Sequence, residues 1–283
     1  MFGKLLKHEF KATGRTLGPL YGGFAALVLA AWGMLWLTWQ FGEVKVGLGT
    51  VKVETGTILG ALSGVLTLVA VFAMMAIVIV TEVLIIMRFY RLLGDDGYFW
   101  FSLPVTPAQH MAVKLIAAMV WSVASLALFV GGIFAFVLVA NGMEGGAALA
   151  ELWAAVRTFP YMTPAFGFVA LLVLAGLIAM AASCLQVQLA CALGMQWPQS
   201  RLGASIGMYV LISVVLQILW TVATVGGGLF LFVSTPHITT LTTLDAYRIP
   251  VMVVGIFCIL NLILCAVYFA AARWLLTKRL NLA

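Results

Sequence analysis

The chain has 283 residues, of which 64% are hydrophobic and 8% charged, with a mean hydropathy of +1.17 and a formal net charge of +6. An ordinary soluble domain is about 45–50% apolar and about 25% charged, so a water-soluble globule is excluded and an integral membrane protein is indicated. The positive balance belongs to membrane orientation and lipid contact, and it does not signal a nucleic-acid partner.

The opening segment, MFGKLLKHEFKATGR, is basic and patterned. On a helical projection Lys4, Lys7, His8, Lys11 and Arg15 fall within an arc of about 100°, with Phe2, Leu5, Leu6, Phe10 and Thr13 opposite. Residues 1–16 are therefore expected to form an amphipathic elbow helix in the inner interface, its basic face toward anionic headgroups. The segment is too long for the basic n-region of a cleavable signal peptide. Glu9 falls near the apolar side, as a snorkelling carboxylate or as a contact with cytoplasmic loops or a partner. Apolar stretches follow at about 17–41, 57–87, 107–140, 164–195, 203–233 and 249–275. Each meets or exceeds the roughly 20 residues that a helix needs to cross the hydrocarbon, and helices satisfy their own backbone groups in lipid. The expected fold is an all-α integral membrane protein, with six transmembrane helices behind the elbow helix in a single domain spanning 1–283.

The first outer loop, residues 42–56 (GEVKVGLGTVKVETG), is short and charge-balanced. In the second span Gly60-x3-Gly64 would allow close helix approach. Its inner end carries Glu82, about a turn and a half before Arg88. These two form either an inner-interface ion pair or, through Glu82, part of an ion pathway.

The segment from Arg88 to Lys114, RFYRLLGDDGYFWFSLPVTPAQHMAVK, then breaks the apolar pattern. Thr106-Pro107-Ala108-Gln109 reads as a capping box with proline at the first helical position, so the third span begins at Pro107 and the cytoplasmic loop occupies 88–106. Leu103-Pro104-Val105 is extended because the residue before a proline avoids the α region. Between Gly94 and Leu103, Asp95 and Asp96 suit the start of a short helix, and Gly97 leads into the aromatic run Tyr98, Phe99, Trp100 and Phe101. That run is either an interfacial anchor or a short helix fitting a groove on a soluble protein.

Farther along, Leu149, Leu152, Trp153 and Val156 are spaced for a short helix on the outer interface. Span four holds Gln186 and Gln188, span five Gln217, and span six Asn261. These are interhelical hydrogen-bonding groups or, for Gln186, Gln217 and Asn261, candidates for a translocation path. Gly203-x3-Gly207 opens span five as a second small-residue face. Cys184 with Cys191, and Cys258 with Cys265, each share a helix face seven residues apart. They suit packing, and no CxxC or His-rich spacing accompanies them. Gly226, Gly227 and Gly228 each cost a helix about 1 kcal/mol relative to alanine, which predicts a bend or a re-entrant hairpin before span six.

Orientation follows from counting the 15 basic residues. With the N-terminus inside, eleven lie in inner segments (Lys4, Lys7, Lys11, Arg15, Arg88, Arg91, Lys114, Arg201, Arg273, Lys278, Arg279) and four in outer ones (Lys45, Lys52, Arg157, Arg248). Six spans with both termini cytoplasmic fit that asymmetry. A phosphate-binding GxxxxGK[ST] loop and HExxH are absent, and His8, His110 and His237 fall on different sides.

The sequence of features resembles permease subunits of the type-2 ABC exporter family. Those features are the elbow (KLLKHEFKATGR), six spans, the loop RFYRLLGDDGYFWFSLPVTPAQHMAVKL and the short basic tail over 276–283, which contains TKRLNLA. The layout covers the whole chain, and only the loop is distinctive at residue level. The resemblance implies a homo- or heterodimeric membrane unit, each half docked on a separate ATP-binding cassette subunit that holds ATP and Mg²⁺. This chain would then bind no cofactor and hydrolyse nothing itself. It also implies that the loop acts as the coupling helix, a role carried by Gly94, Asp95, Asp96, Gly97, Tyr98, Phe99, Trp100, Phe101, Leu103 and Pro104. The expected activity is ATP-driven movement of an apolar or amphipathic substrate across a prokaryotic-type plasma membrane. The alternatives are a non-transporting membrane partner (immunity, sensory or assembly factor) and an ion-gradient-driven carrier.

Overall fold

A computed structural model of the chain describes residues 2–41, 45–48, 51–93, 106–140, 150–151, 154, 162–197, 199–234 and 243–278. Its elements in order are α1 (Phe2–Phe41), β1 (Lys45–Leu48), β2 (Val51–Glu54), α2 (Thr55–Leu93), α3 (Pro107–Ala140), α4 (Met162–Gly194), α5 (Arg201–Ser234) and α6 (Thr243–Lys278). All six helices are long and apolar enough to cross a membrane, which makes this a multi-pass membrane protein. Their most apolar windows are only 6–28% buried within the chain. Side chains such as Val65, Val222 and Met252, each at least 63% exposed, point out of the bundle. Lipid is the solvent in which such a surface costs little, because its tails are as apolar as these side chains.

Four features depart from the expected layout. The elbow over 1–16 is not a separate element, because α1 runs unbroken for 40 residues with Pro19 inside it. Pro19 has no N–H to offer the carbonyl of Arg15, so any bend between an interfacial and a spanning part would fall there. The expected face pattern nevertheless appears: Lys4, Lys7, His8, Lys11 and Arg15 are exposed, while Glu9, Thr13 and Leu17 form a buried stripe at i, i+4, i+8. The outer loop 42–56 contains an antiparallel hairpin in the register Lys45↔Glu54, Val46↔Val53, Gly47↔Lys52, Leu48↔Val51, the one departure from an all-α fold among the described residues. Helix α2 continues past the expected boundary at 87 to Leu93, so residues 88–93 are helix and not loop. Finally, α5 continues as helix through Gly226–Gly228 to Ser234, without the predicted re-entrant break there. Within lipid a broken turn would strand backbone donors and acceptors, at several kcal/mol per group, which outweighs the glycines' propensity cost.

The chain divides into two compact units. One contains Gly3–Leu84 and Val120–Pro160, the other Ile85–Met119 and Tyr161–Ala283 with Met1–Phe2. In the first unit, Phe24, Val28 and Ala31 of α1 pack with Ala70, Met74 and Ile77 of α2 and Phe136 of α3. Trp32 meets Phe136 edge-on at 6.2 Å. A side chain at Gly132 would strike Met74 Sδ, so this glycine lets α3 approach α2. In the second unit the core joins the end of α2 (Phe89, Leu92, Leu93), the start of α3 (Met111), α4 (Leu185, Leu189, Cys191, Ala192) and α6 (Tyr268, Ala272, Leu275, Leu276). Here the close approach is at Gly194, where a Cβ would lie 2.5 Å from Ser205 Cα and N. The Gly60/Gly64 pair and Gly207 have nothing within 4 Å, and Gly203 only its neighbour Ser200 at 3.9 Å. Among the described residues, those predicted small-residue faces therefore show no close helix approach.

Candidate functional site

The aromatic loop is the segment to which sequence reasoning attaches function, and Gly94 through Pro104 lie outside the described residues. Both of its roots are described. On the α2 side, Phe89, Leu92 and Leu93 are each 3% exposed while Arg91, between them, faces outward. On the α3 side the helix starts at Pro107, as the capping box requires. The Thr106 N–H donates to Gln109 Oε1 at 3.3 Å, and the Gln109 and His110 N–H groups donate to the Thr106 carbonyl at 2.9 and 3.3 Å. His110 and Met111, in the first helical turn, are fully enclosed. Leu93 and Met111 belong to the same buried cluster as Leu185, Leu189, Leu275 and Leu276. The segment thus begins and ends in one packed body that also holds the C-terminal parts of α4 and α6.

Glu82 is half-buried and accepts a hydrogen bond from Ser122 Oγ on α3 at 2.6 Å. Among the described residues no ion pair joins it to Arg88. Six residues of helix set the two side chains about 120° apart around the axis, which does not favour the expected pair. Glu82 belongs instead to a polar cluster within the first unit. Tyr21 Oη donates to the Trp121 carbonyl at 3.2 Å and meets Thr81 Oγ1 at 3.1 Å, while Thr81 Oγ1 donates to the Ile77 carbonyl at 2.7 Å. Two hydroxyl protons thus serve three contacts, and only two can be made at once. The rings of Tyr21 and Trp121 meet edge-on at 5.5 Å. Trp121 Nε1 is buried with no acceptor among the described residues. Sequence reading found Glu82 but missed its companions, because a lone tyrosine, threonine or serine in an apolar helix has no distinguishing spacing.

The three candidate path residues make separate contacts. Gln186 Nε2 donates to Ser213 Oγ at 2.8 Å, tying α4 to α5. Asn261 is buried but donates to the Phe257 carbonyl of its own helix at 2.9 Å. Gln217 is exposed. No hydrogen bond links any two of them. Gln188, which the sequence grouped with these, is buried with Oε1 lacking a donor. The four cysteines are thiols: Cys191 and Cys258 are buried, Cys184 and Cys265 half-buried, and Cys265 Sγ points at the Ile178 carbonyl at 3.9 Å. Among the described residues no group of three His, Cys, Asp or Glu side chains is placed to hold a metal ion.

The chain matches no known protein family, no curated protein and no solved structure. What can be inferred about its work therefore comes from its own geometry and chemistry.

Proposed function

We propose that the chain is the permease subunit of an ATP-driven exporter of the type-2 ABC kind, working as a dimer in a plasma membrane of prokaryotic type. Each subunit would dock on a separate ATP-binding cassette protein, which would hold ATP and Mg²⁺ and perform the hydrolysis. The observation that carries this reading is the rooting of residues 94–105 at both ends in one buried cluster with α4 and α6. A segment that merely joins two spans gains nothing from such roots. A segment that receives force needs them, because a push on a loosely held loop is absorbed by the loop. The aromatic run Tyr98–Phe101 supplies the anchor type that dominates protein interfaces, and Asp95 with Asp96 favours a helix beginning there. Closure of the partner subunits would displace the packed inner ends of α2, α3, α4 and α6 together. With few charges in the spans, the moving cargo is apolar or amphipathic.

The test is the double substitution Trp100→Ala, Phe101→Ala. Its expected result is loss of pull-down with the ATP-binding subunit and of substrate-stimulated hydrolysis, with an unchanged melting temperature for the membrane subunit. Survival of both pull-down and stimulation would refute the coupling role.

A further inference from the structure

Within the second unit a cleft of about 540 Å³ opens between the end of α2, the end of α4 and the start of α5. That size lies in the range of small-molecule sites. Its lining sets one cation among apolar walls. Arg91 stands in the last turn of α2, with Tyr90 beside it and Ser205 across on α5. The apolar walls are Ile86 and Met87 on α2, Val187 on α4, and Leu202 and Ile206 on α5. Ile86 lies about 7–8 Å below Arg91 along the axis. Tyr209 closes the α5 side.

The polar groups are unspent. Among the described residues Arg91 makes no ion pair or hydrogen bond, and the hydroxyls of Tyr90 and Tyr209 have no hydrogen-bond partner. Ser205 Oγ gives its proton to the Arg201 carbonyl at 2.8 Å and keeps its lone pairs. A free inorganic anion would satisfy Arg91 but leave the apolar walls empty. An uncharged hydrocarbon would fill the walls but leave the cation unmet. A molecule with a phosphate at one end and a chain at the other meets both. The positive-inside count puts this end of α2 at the leaflet rich in anionic lipid, where tyrosines sit at headgroup level.

We propose that this cleft binds one anionic phospholipid of the inner leaflet, its phosphate paired with Arg91 and an acyl chain lying along Ile86, Val187 and Ile206. The site rests on the membrane orientation and not on coupling to an ATP-binding subunit, so the two readings fail separately. The experiment uses the full chain purified in detergent and incubated with mixed micelles of phosphatidylglycerol and phosphatidylcholine of matched chains. Bound lipid is counted by native mass spectrometry. The wild-type chain is expected to retain phosphatidylglycerol in preference to phosphatidylcholine. Arg91→Gln should lower phosphatidylglycerol retention about fivefold, the effect of one basic side chain at a membrane surface, and leave phosphatidylcholine unchanged. Ile206→Trp, which fills the cleft from an exposed position on α5, should lower retention of both. Arg273→Gln, which removes an exposed cation of α6 outside the cleft, should change neither. An unchanged lipid preference in Arg91→Gln overturns the proposal, whatever happens to the tryptophan variant. Displacement of the lipid by equimolar inorganic phosphate overturns the acyl-chain assignment.

Discussion

Replacing Gly194 by alanine tests the closest helix approach made by any described glycine. A Cβ at this position would fall 2.5 Å from Ser205 Cα and N and would also strike its Oγ. Ordinary carbon contacts are about 3.5–4.0 Å, so α4 and α5 would have to part by about 1 Å. Backbone atoms cannot rotate aside, and the hairpin has little slack. Its connector is held by Met195 N–H to the Cys191 carbonyl (3.1 Å), Gln196 N–H to Leu193 (3.1 Å), Trp197 N–H to Gly194 (3.2 Å) and Ala204 N–H to Ser200 (2.8 Å). Overpacking of this kind costs about 1–3 kcal/mol. The control is the same substitution at Gly60, inside α2 with nothing within 4 Å, where alanine's helix propensity contributes up to about 1 kcal/mol. The two variants should therefore move in opposite directions. Thermal unfolding of the detergent-solubilised chain, followed by tryptophan fluorescence, reads the difference. At about 2–4 °C per kcal/mol, Gly194→Ala should melt several degrees below wild type and Gly60→Ala at or above it. Adding Ser205→Gly removes the Oγ contact but not those to Cα and N, so it should rescue only in part. Equal melting temperatures for the two alanine variants, or full rescue by Ser205→Gly, would refute the reasoning.

Two further perturbations address the polar cluster of the first unit. Tyr21→Phe removes one of two hydroxyl protons serving three contacts, and Thr81 keeps its bond to Ile77. The loss should therefore stay near the membrane average of about 0.6 kcal/mol per interhelical bond, while Tyr21→Ala, which also deletes the ring against Trp121, should cost clearly more in the same melting assay. Glu82→Gln keeps an acceptor for Ser122 Oγ and should melt like wild type, whereas Ser122→Ala should lose about 0.6–1.7 kcal/mol. In proteoliposomes with the ATP-binding subunit, Glu82→Gln should also retain ATP-driven transport; a transport that instead collapsed and followed a proton or sodium gradient in the wild type would favour an ion-coupled carrier.

Much of the fold was legible because lipid imposes a simple grammar of long apolar runs, basic inner flanks and proline-marked starts. The start of α3 at Pro107 follows from four residues, Thr106 to Gln109. The misplaced boundaries come from two kinds of punctuation, glycines within a span and charges at its end. Gly226–Gly228 would end a helix in water but are carried through in α5. Arg88 and Arg91 looked like loop because they are charged, yet Phe89, Leu92 and Leu93 between and after them continue the helical face of α2 into a buried core. The hairpin at Lys45–Glu54 did have a signal, the two-residue alternation of valine with lysine in VKV on each side of Gly49-Thr50, which a short outer loop gave no reason to weigh. The contacts of Glu82 were not legible at all. They depend on which face of α3 meets α2, and the apolar sequence of α3 is nearly isotropic around its axis.

The location of the second unit's core bears on how the molecule could transmit force. At 1.5 Å per residue the 39 residues of α2 extend about 58 Å, against about 30 Å of hydrocarbon, so the helix must emerge well beyond the lipid. Inside the bilayer a leucine gains little by turning from lipid to protein, and helix contacts there rest on close approach and hydrogen bonds, as at Gly132 and Ser122. Beyond the hydrocarbon the ordinary hydrophobic effect returns, worth about 1.5–3 kcal/mol for each large apolar side chain removed from water. Phe89, Leu92 and Leu93 close α2, Met111 opens α3, and Leu275 and Leu276 lie near the end of α6. These positions fall where the basic residues place the cytoplasmic rim, and they are among the most buried in the chain. A core there is driven by water and resists shear more than the lubricated contacts of the mid-membrane. Under the proposed coupling, a displacement applied between Leu93 and Thr106 would act first on this packed core, whose resistance comes from water and not from lipid.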